Sequence, residues 1–226
     1  MTNASLPPAG GARSMLAARI AVGSAVAVAV IVMALHAIRP EFEPSWRFIS
    51  EYAIGDLGWI MKLAFLIWAV GCLALALALW REVTAWPGRL GVAVLLLVAF
   101  ALVPAGLFAM DPVTARPEEV TTSGMIHAIS SMIGVPGIPI AAMLISSSLW
   151  RTNSVWTPHR FAIMATAHAT WVSFVAMNIY VAWVLSISGG FNSEHWSGWL
   201  NRLVVATYLA WQLVVGCLLL LNRRRR

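Results

Sequence analysis

The chain has 226 residues, 60% of them hydrophobic and only 11% charged, where a soluble domain carries about 25% charged residues. With a mean hydropathy of +0.81, this composition excludes an ordinary soluble globule and leaves a polytopic membrane protein, in which each spanning helix needs roughly 20 apolar residues. The net charge of +6 does not argue for nucleic acid: four of the fifteen basic residues are the terminal Arg223, Arg224, Arg225 and Arg226. They read as a cytoplasmic anchor near anionic lipid, and no aromatic–basic interleaving accompanies them.

Residues 1–12, rich in Ala, Gly, Pro and Ser, are expected to form a disordered tail, and 223–226 a basic cytoplasmic one. Between them, residues 13–222 are read as a single all-α domain of six transmembrane helices. The first apolar run, Ile20 to Ile38, is longer than the 7–15 residues of a secretory signal core and lacks a small-x-small cleavage site, so it reads as a retained helix. The second extends from Ser50 to Trp80, fully apolar from Trp59, with Ser50 as an expected N-cap. The third is Leu90 to Met110, closed by Asp111-Pro112. The fourth, Thr121 to Trp150, contains Pro136 and Pro139, which predict a kink or an unwound turn. The fifth and sixth are Phe161 to Ile187 and Trp199 to Leu221. Cys72 and Cys217 both fall inside apolar runs and read as buried small hydrophobes.

Orientation follows from charge. With the N-terminus inside, the cytoplasmic segments hold ten arginines and the opposite side four (Arg39, Arg47, Arg116 and Arg202), as the positive-inside rule requires. Both termini are therefore expected in the cytoplasm, in the inner (plasma) membrane. The acids show the reverse bias, since all except Glu82 lie toward the outer face.

Three polar groups gather near that outer face. Glu51 and Asp56 stand where the second span begins, either as first-turn acids that suit the helix dipole or as cavity-lining groups. Lys62 lies about 16 Å deeper than Glu51 at nearly the same helical phase, placed to snorkel outward or meet an acid. Asp111 precedes the fourth helix, on which Ser123 and His127 share a face that Ser130, Ser131 and Gly134 continue toward the bundle interior. Arg202 stands at the start of the last helix, where the dipole disfavours a cation. An acid (Glu51, Asp56, Asp111 or Glu194) is expected to compensate it, as a structural salt bridge or as part of an anion site.

His168 and His127 differ in depth by roughly 15–20 Å, so one haem cannot be ligated by both. His36, His127 and His195 can share a level, but no spacing rule binds them, and no metal or other cofactor is expected. No internal repeat and no phosphate-loop, dinucleotide, HExxH or GxSxG motif is present.

The order Ser50-Glu51-Tyr52-Ala53-Ile54-Gly55, Asp111, Thr122-x-Gly124-x-x-His127 and Gly198-x-x-Asn201-Arg202 resembles the domain of unknown function 998 family, six-helix bacterial and archaeal membrane proteins. The likeness runs from about residue 20 to 220. It implies an architecture rather than an activity, with motif positions at Ser50, Glu51, Gly55, Asp111, Gly124, His127 and Arg202. Asn201 stands where a glutamine is expected beside the arginine. More loosely, Ser123, Asp111 and His127 resemble the Ser, Asp and His set of zinc-dependent membrane hydrolases. The paired late histidines of those enzymes are missing, because His159 and His168 are nine residues apart.

Three functional readings stand at this stage. The first is a membrane protein that binds or passes a small molecule or lipid headgroup through an outward-facing polar cavity lined by Glu51, Asp56, Asp111, His127 and Arg202. The second is an intramembrane hydrolase acting on lipid, with His127 as base or metal ligand, Asp111 orienting it and Ser123 as nucleophile. The third is a structural or assembly role, in which the polar residues only pin outer loops; membrane lipids are expected partners in all three. Oligomeric state is not legible.

Overall fold

The computed structural model describes residues 9–224, with side chains over 13–222. Six α-helices and no strand occur among them: α1 (Ala9–Ile38), α2 (Trp59–Leu79), α3 (Trp86–Leu107), α4 (Thr122–Thr152), α5 (Arg160–Ser188) and α6 (Ser197–Arg224). Each contains a window long and apolar enough to cross a membrane, so the chain is a multi-pass membrane protein. α1 begins at Ala9, inside the stretch expected as a tail; residues 1–8, 225 and 226 lie outside the described ones.

Each helix packs chiefly on its neighbours in the chain, and α6 closes on α1, so the six form a ring in sequence order with sparse contacts across it. Short connections of polar, Gly and Pro residues enforce this order, because antiparallel neighbours need only brief turns. Small residues set the approach distances. A Cβ on Gly91 would lie 2.9 Å from Leu144 and Ile145 of α4, and one on Gly106 would lie 2.9 Å from the Lys62 carbonyl of α2. Exposed Trp59, Trp196 and Trp199 mark one end of the ring, and exposed Trp80 and Trp86 the other, as membrane–water interfaces favour.

Two departures from expectation have clear causes. Ser50 is not the cap of a long second helix. The chain instead makes two 3-10 turns, Ile49–Ala53 and Asp56–Gly58, separated by Gly55 at φ 78°, before α2 starts at Trp59. α4 remains α-helical through Pro136 and Pro139, with no unwound turn. Pro139 has no N–H for the Val135 carbonyl one turn back, and Tyr208 Oη of α6 donates to that oxygen at 2.7 Å.

The ring is joined at mid-membrane by Gln212 of α6, the chain's single glutamine. Its Oε1 accepts from Trp68 Nε1 of α2 at 3.1 Å, and its Nε2 donates to the Ala21 carbonyl at 2.8 Å and to Ser24 Oγ at 3.1 Å, both on α1. A Cβ on Gly71 would lie 1.8 Å from Ser24 Oγ, so only glycine admits this arrangement. Replacing Gln212 by Leu strands the Trp68 indole N–H in hydrocarbon and should lower stability by about 1–3 kcal/mol. Reversible thermal or denaturant melting in detergent measures this, and a melting point equal to the parent's would remove the hub from the account.

Candidate functional site

Between α2 and its predecessor, residues 39–58 fold back over one end of the ring as a non-helical cap. Arg39, Arg47, Glu51 and Arg202 hold it. Glu51 is fully buried and accepts from Arg47 Nη1 at 2.6 Å, from the Phe48 N–H at 2.9 Å and from the Val113 N–H of the α3–α4 connection at 3.0 Å. Arg39 donates to the Tyr52 and Ile54 carbonyls at 3.3 and 2.9 Å and pairs with Glu41. Its guanidinium hydrogen bond, chief among the causes, draws the Glu41 carboxyl below its ordinary value.

Arg202 has no carboxylate partner among the described residues. Instead its Nε donates to His36 Nε2 at 2.7 Å, its Nη1 to the Arg47 and Gly198 carbonyls at 2.7 and 3.1 Å, and its Nη2 to Tyr52 Oη at 3.0 Å. The expected acid is thus replaced by two carbonyls, a ring nitrogen and a hydroxyl, because Glu51 is already occupied by Arg47. His36 Nδ1 lies 2.6 Å from the Val32 carbonyl, so it carries the ring proton while Nε2 accepts. Asn201 Oδ1 accepts from the Ile49 N–H at 3.0 Å, and Gly198 is pressed so closely on the cap that a Cβ would lie 2.4 Å from the Pro44 carbonyl. Asp56 is exposed at the cap's edge, and Lys62 makes no ion pair among the described residues.

The Ser, Asp and His group of α4 is brought together in space but not into a relay. Ser123 Oγ donates to the Ala109 carbonyl at 2.8 Å, His127 Nδ1 lies 3.0 Å from the Phe108 carbonyl, and Asp111 accepts from the Thr121 N–H and Oγ1 at 2.9 and 2.8 Å. All three therefore fasten the end of α3 to the start of α4, where helix termini leave carbonyls and N–H groups without partners. A Cβ on Gly124 would lie 1.9 Å from Asp111 Oδ2, which accounts for that glycine. His195 sits in the α5–α6 connection, its Nδ1 accepting from the Asn192 N–H at 3.1 Å and its Nε2 3.2 Å from Ser188 Oγ. His36, His127 and His195 thus stand on separate elements. No group of three or more His, Cys, Asp or Glu converges as metal ligands would among the described residues.

Beneath the cap lies a chamber of ≈ 70 Å³ between α2, α3, α4 and α6. Ile49 and Ser50 of the cap and Asn201 border it, as do Ser130, Ser131 and Tyr208 deeper in the ring; the rest of its wall is apolar, with Trp68 and Ile138 at depth. None of Glu51, Asp56, Asp111, His127 or Arg202 lines it. Ser50 and Ser131 hydroxyls and the Asn201 amide nitrogen, by contrast, make no hydrogen bond within the described protein. Sequence reasoning followed the face of Ser130, Ser131 and Gly134 correctly into the interior but passed over Gln212, Trp68 and Tyr208. The lone glutamine in an apolar span was the available signal.

At the opposite end, Glu82 is buried in the α2–α3 turn, where it accepts from Asn153 Nδ2 at 3.2 Å and Trp156 Nε1 at 3.3 Å of the α4–α5 connection. It ties the two turns of that face.

The ring, its cap and its chamber define a six-helix membrane protein with a closed polar end. The sequence profile of the family described as Protein of unknown function (DUF998) matches residues 21–218, most of the chain, and the protein belongs to that family. No curated protein and no solved structure matches it.

Removing the Glu51 carboxylate leaves Arg47 charged and half-buried without its counter-ion. Glu51→Leu should cost about 3–5 kcal/mol, and Glu51→Gln less, about 1–3 kcal/mol, because one acceptor oxygen survives. Arg47→Leu added to Glu51→Leu should recover part of the loss in a thermal melt. A double variant no more stable than Glu51→Leu would contradict the ion-pair account.

Proposed function

We propose that this protein is a ligand-binding protein of the inner (plasma) membrane, taking a small neutral molecule, mainly apolar with one or two hydrogen-bonding groups, in the chamber beneath its 39–58 cap. The observation that carries this reading is the set of three polar groups without protein partners (the Ser50 and Ser131 hydroxyls and the Asn201 amide nitrogen) on the wall of a mainly apolar chamber. Such convergence of few polar groups on an apolar concavity is the usual makeup of a small-molecule site. A ligand's polar atoms would meet Ser50 and Asn201 under the cap, and its apolar body would extend toward Trp68 and Ile138.

The absence of any charged side chain from this wall favours a neutral ligand, since an ion there would lose its hydration without a counter-charge. The arginine balance supports an outer-face position for the cap, with both termini cytoplasmic. Binding is favoured over passage because the interior past Tyr208 is filled by the buried Trp211 and the Gln212 hub. The hydrolase reading gains no observation, as Ser123 and His127 each spend a hydrogen bond on a carbonyl just past α3, Ala109 and Phe108, rather than on each other.

Gly134 borders the chamber, and a Cβ there meets only Ala101, at 3.9 Å, so Gly134→Leu fills the space without displacing backbone. In detergent, 1-hexanol should raise the melting temperature of the parent relative to Gly134→Leu, and neutral small molecules should co-purify with the parent alone by mass spectrometry. Equal thermal shifts in both proteins, with no co-purifying molecule, would sink the proposal.

A further inference from the structure

α5 is the outlier of the ring: only 17% of its apolar window is buried, against 33 to 56% for the other five helices. From Phe161 to Leu185 its residues at alternating spacings of three and four form one seam, on which His168, Val175, Asn178 and Ala182 are exposed while Met164 and Trp171 are half-buried. This is the 3.5-residue repeat along which two helices pack as a left-handed pair, sustained over roughly three heptads. Two of the exposed seam residues are polar. His168 Nδ1 bonds the Met164 carbonyl at 2.7 Å, and Asn178 Nδ2 bonds the Phe174 carbonyl at 2.8 Å, both on their own helix. Each side chain thereby keeps outward-facing capacity: Nε2 of the ring, and Oδ1 with a second N–H of the amide. They lie roughly 12 Å and 15 Å in from opposite ends of the helix, within its apolar span, where unmet polar groups are costly and ordinarily face protein.

We propose that this seam is the docking face for a second copy of the chain, the two α5 helices packing in parallel about a two-fold axis with their Asn178 carboxamides paired. Two copies in one membrane share an orientation, so each seam residue meets its own counterpart at its own depth, as an isologous interface requires. A carboxamide is self-complementary, with the N–H of each donating to the Oδ1 of the other. Any other partner would need a matching polar group at the same depth, whereas a second copy supplies it by symmetry. Val175 and Ala182 then fill the contact on either side of Asn178, and a polar residue at one seam position among apolar neighbours fixes register and pairing. No charged residue lies on α5 after Arg160, so self-association brings no like charges together within the span.

Cross-linking in native membranes tests the inference. Cys217 is exposed and is first replaced by Ala. In that background, Ala182→Cys is compared with Leu203→Cys, an exposed α6 position about equally far from the same membrane face. Ala182→Cys should give a disulfide-linked dimer of this chain several-fold above Leu203→Cys, and adding Asn178→Leu should reduce it to the Leu203→Cys level. In detergent, Asn178→Leu should weaken dimerisation roughly tenfold by light-scattering mass, and Val175→Trp should weaken it by bulk instead of polarity. Equal cross-linking at 182 and 203, capture of a different protein at 182, or dimer yields untouched by both seam substitutions in folded protein would overturn the proposal.

Discussion

Glu51 carries a carboxylate with no exposed surface at the end of a membrane bundle, and the remainder of that end is built around it. A charge taken out of water is tolerated only when paired and hydrogen-bonded. Arg47 supplies the pairing, and two backbone N–H groups supply the bonds, one from its own turn and one from the α3–α4 connection. The carboxylate therefore fixes the cap internally and also pins it to a second loop that is distant in sequence. Ile49 and Ser50, on the same turn as Glu51, become the roof of the chamber by this route. Arg202 does the complementary work from α6, donating to the Arg47 carbonyl and the Tyr52 hydroxyl of the same region and to the Gly198 carbonyl of its own helix, while His36 of α1 holds its Nε.

Lower in the ring the same rule acts through neutral groups. Hydrocarbon offers no hydrogen bonds, so each polar atom must find its partner within protein. Gln212 joins α6 to α1 and α2, Tyr208 satisfies the carbonyl that Pro139 leaves open in α4, and Trp211 Nε1 donates to Ser146 Oγ at 3.0 Å. These bonds span the ring where direct helix–helix contact is sparse. α6 contributes to nearly all of them, which makes it the structural hinge between the α1–α2 side and the α4 side. α5 contributes little, a Ser173–Thr207 hydroxyl contact at 2.8 Å being one exception, and that is why its other face remains open.

The spans were legible because their signal is summed over about 20 residues each and no local conflict can hide it. That Glu51, Asp111, His127 and Arg202 stand near one end of the bundle was also legible, since the spans fix the depth of every residue between them. What those residues bind was not. Asp111 bonds Thr121 ten positions on, and Arg202 bonds His36 across 166 residues. One-dimensional spacing along a helix reports which residues share a face, and it is silent on what faces them. The same limit concealed Ser50, which looked like a helix cap and is a chamber wall. Pro136 and Pro139 do not unwind the helix for a related reason: the loss of an N–H is local, but the repair at Pro139 by Tyr208 is tertiary.

A separation of labour follows from these placements. Arg39, Arg47, Glu51 and Arg202 are spent on holding the cap, and Asp111 and His127 on the α3–α4 joint, through hydrogen bonds to backbone and to neighbouring side chains. Neutral groups are left uncommitted at two places: two serine hydroxyls and the Asn201 amide nitrogen in the chamber, and amide and imidazole atoms on the outer face of α5. In a medium of low dielectric this division is physically favoured. An uncommitted charge would cost several kcal/mol when its ligand or partner is absent, whereas an uncommitted hydroxyl or amide costs far less and can still direct recognition. Binding capacity in this ring is therefore expected in its neutral polar atoms, and the charges are the frame that gives those atoms fixed positions.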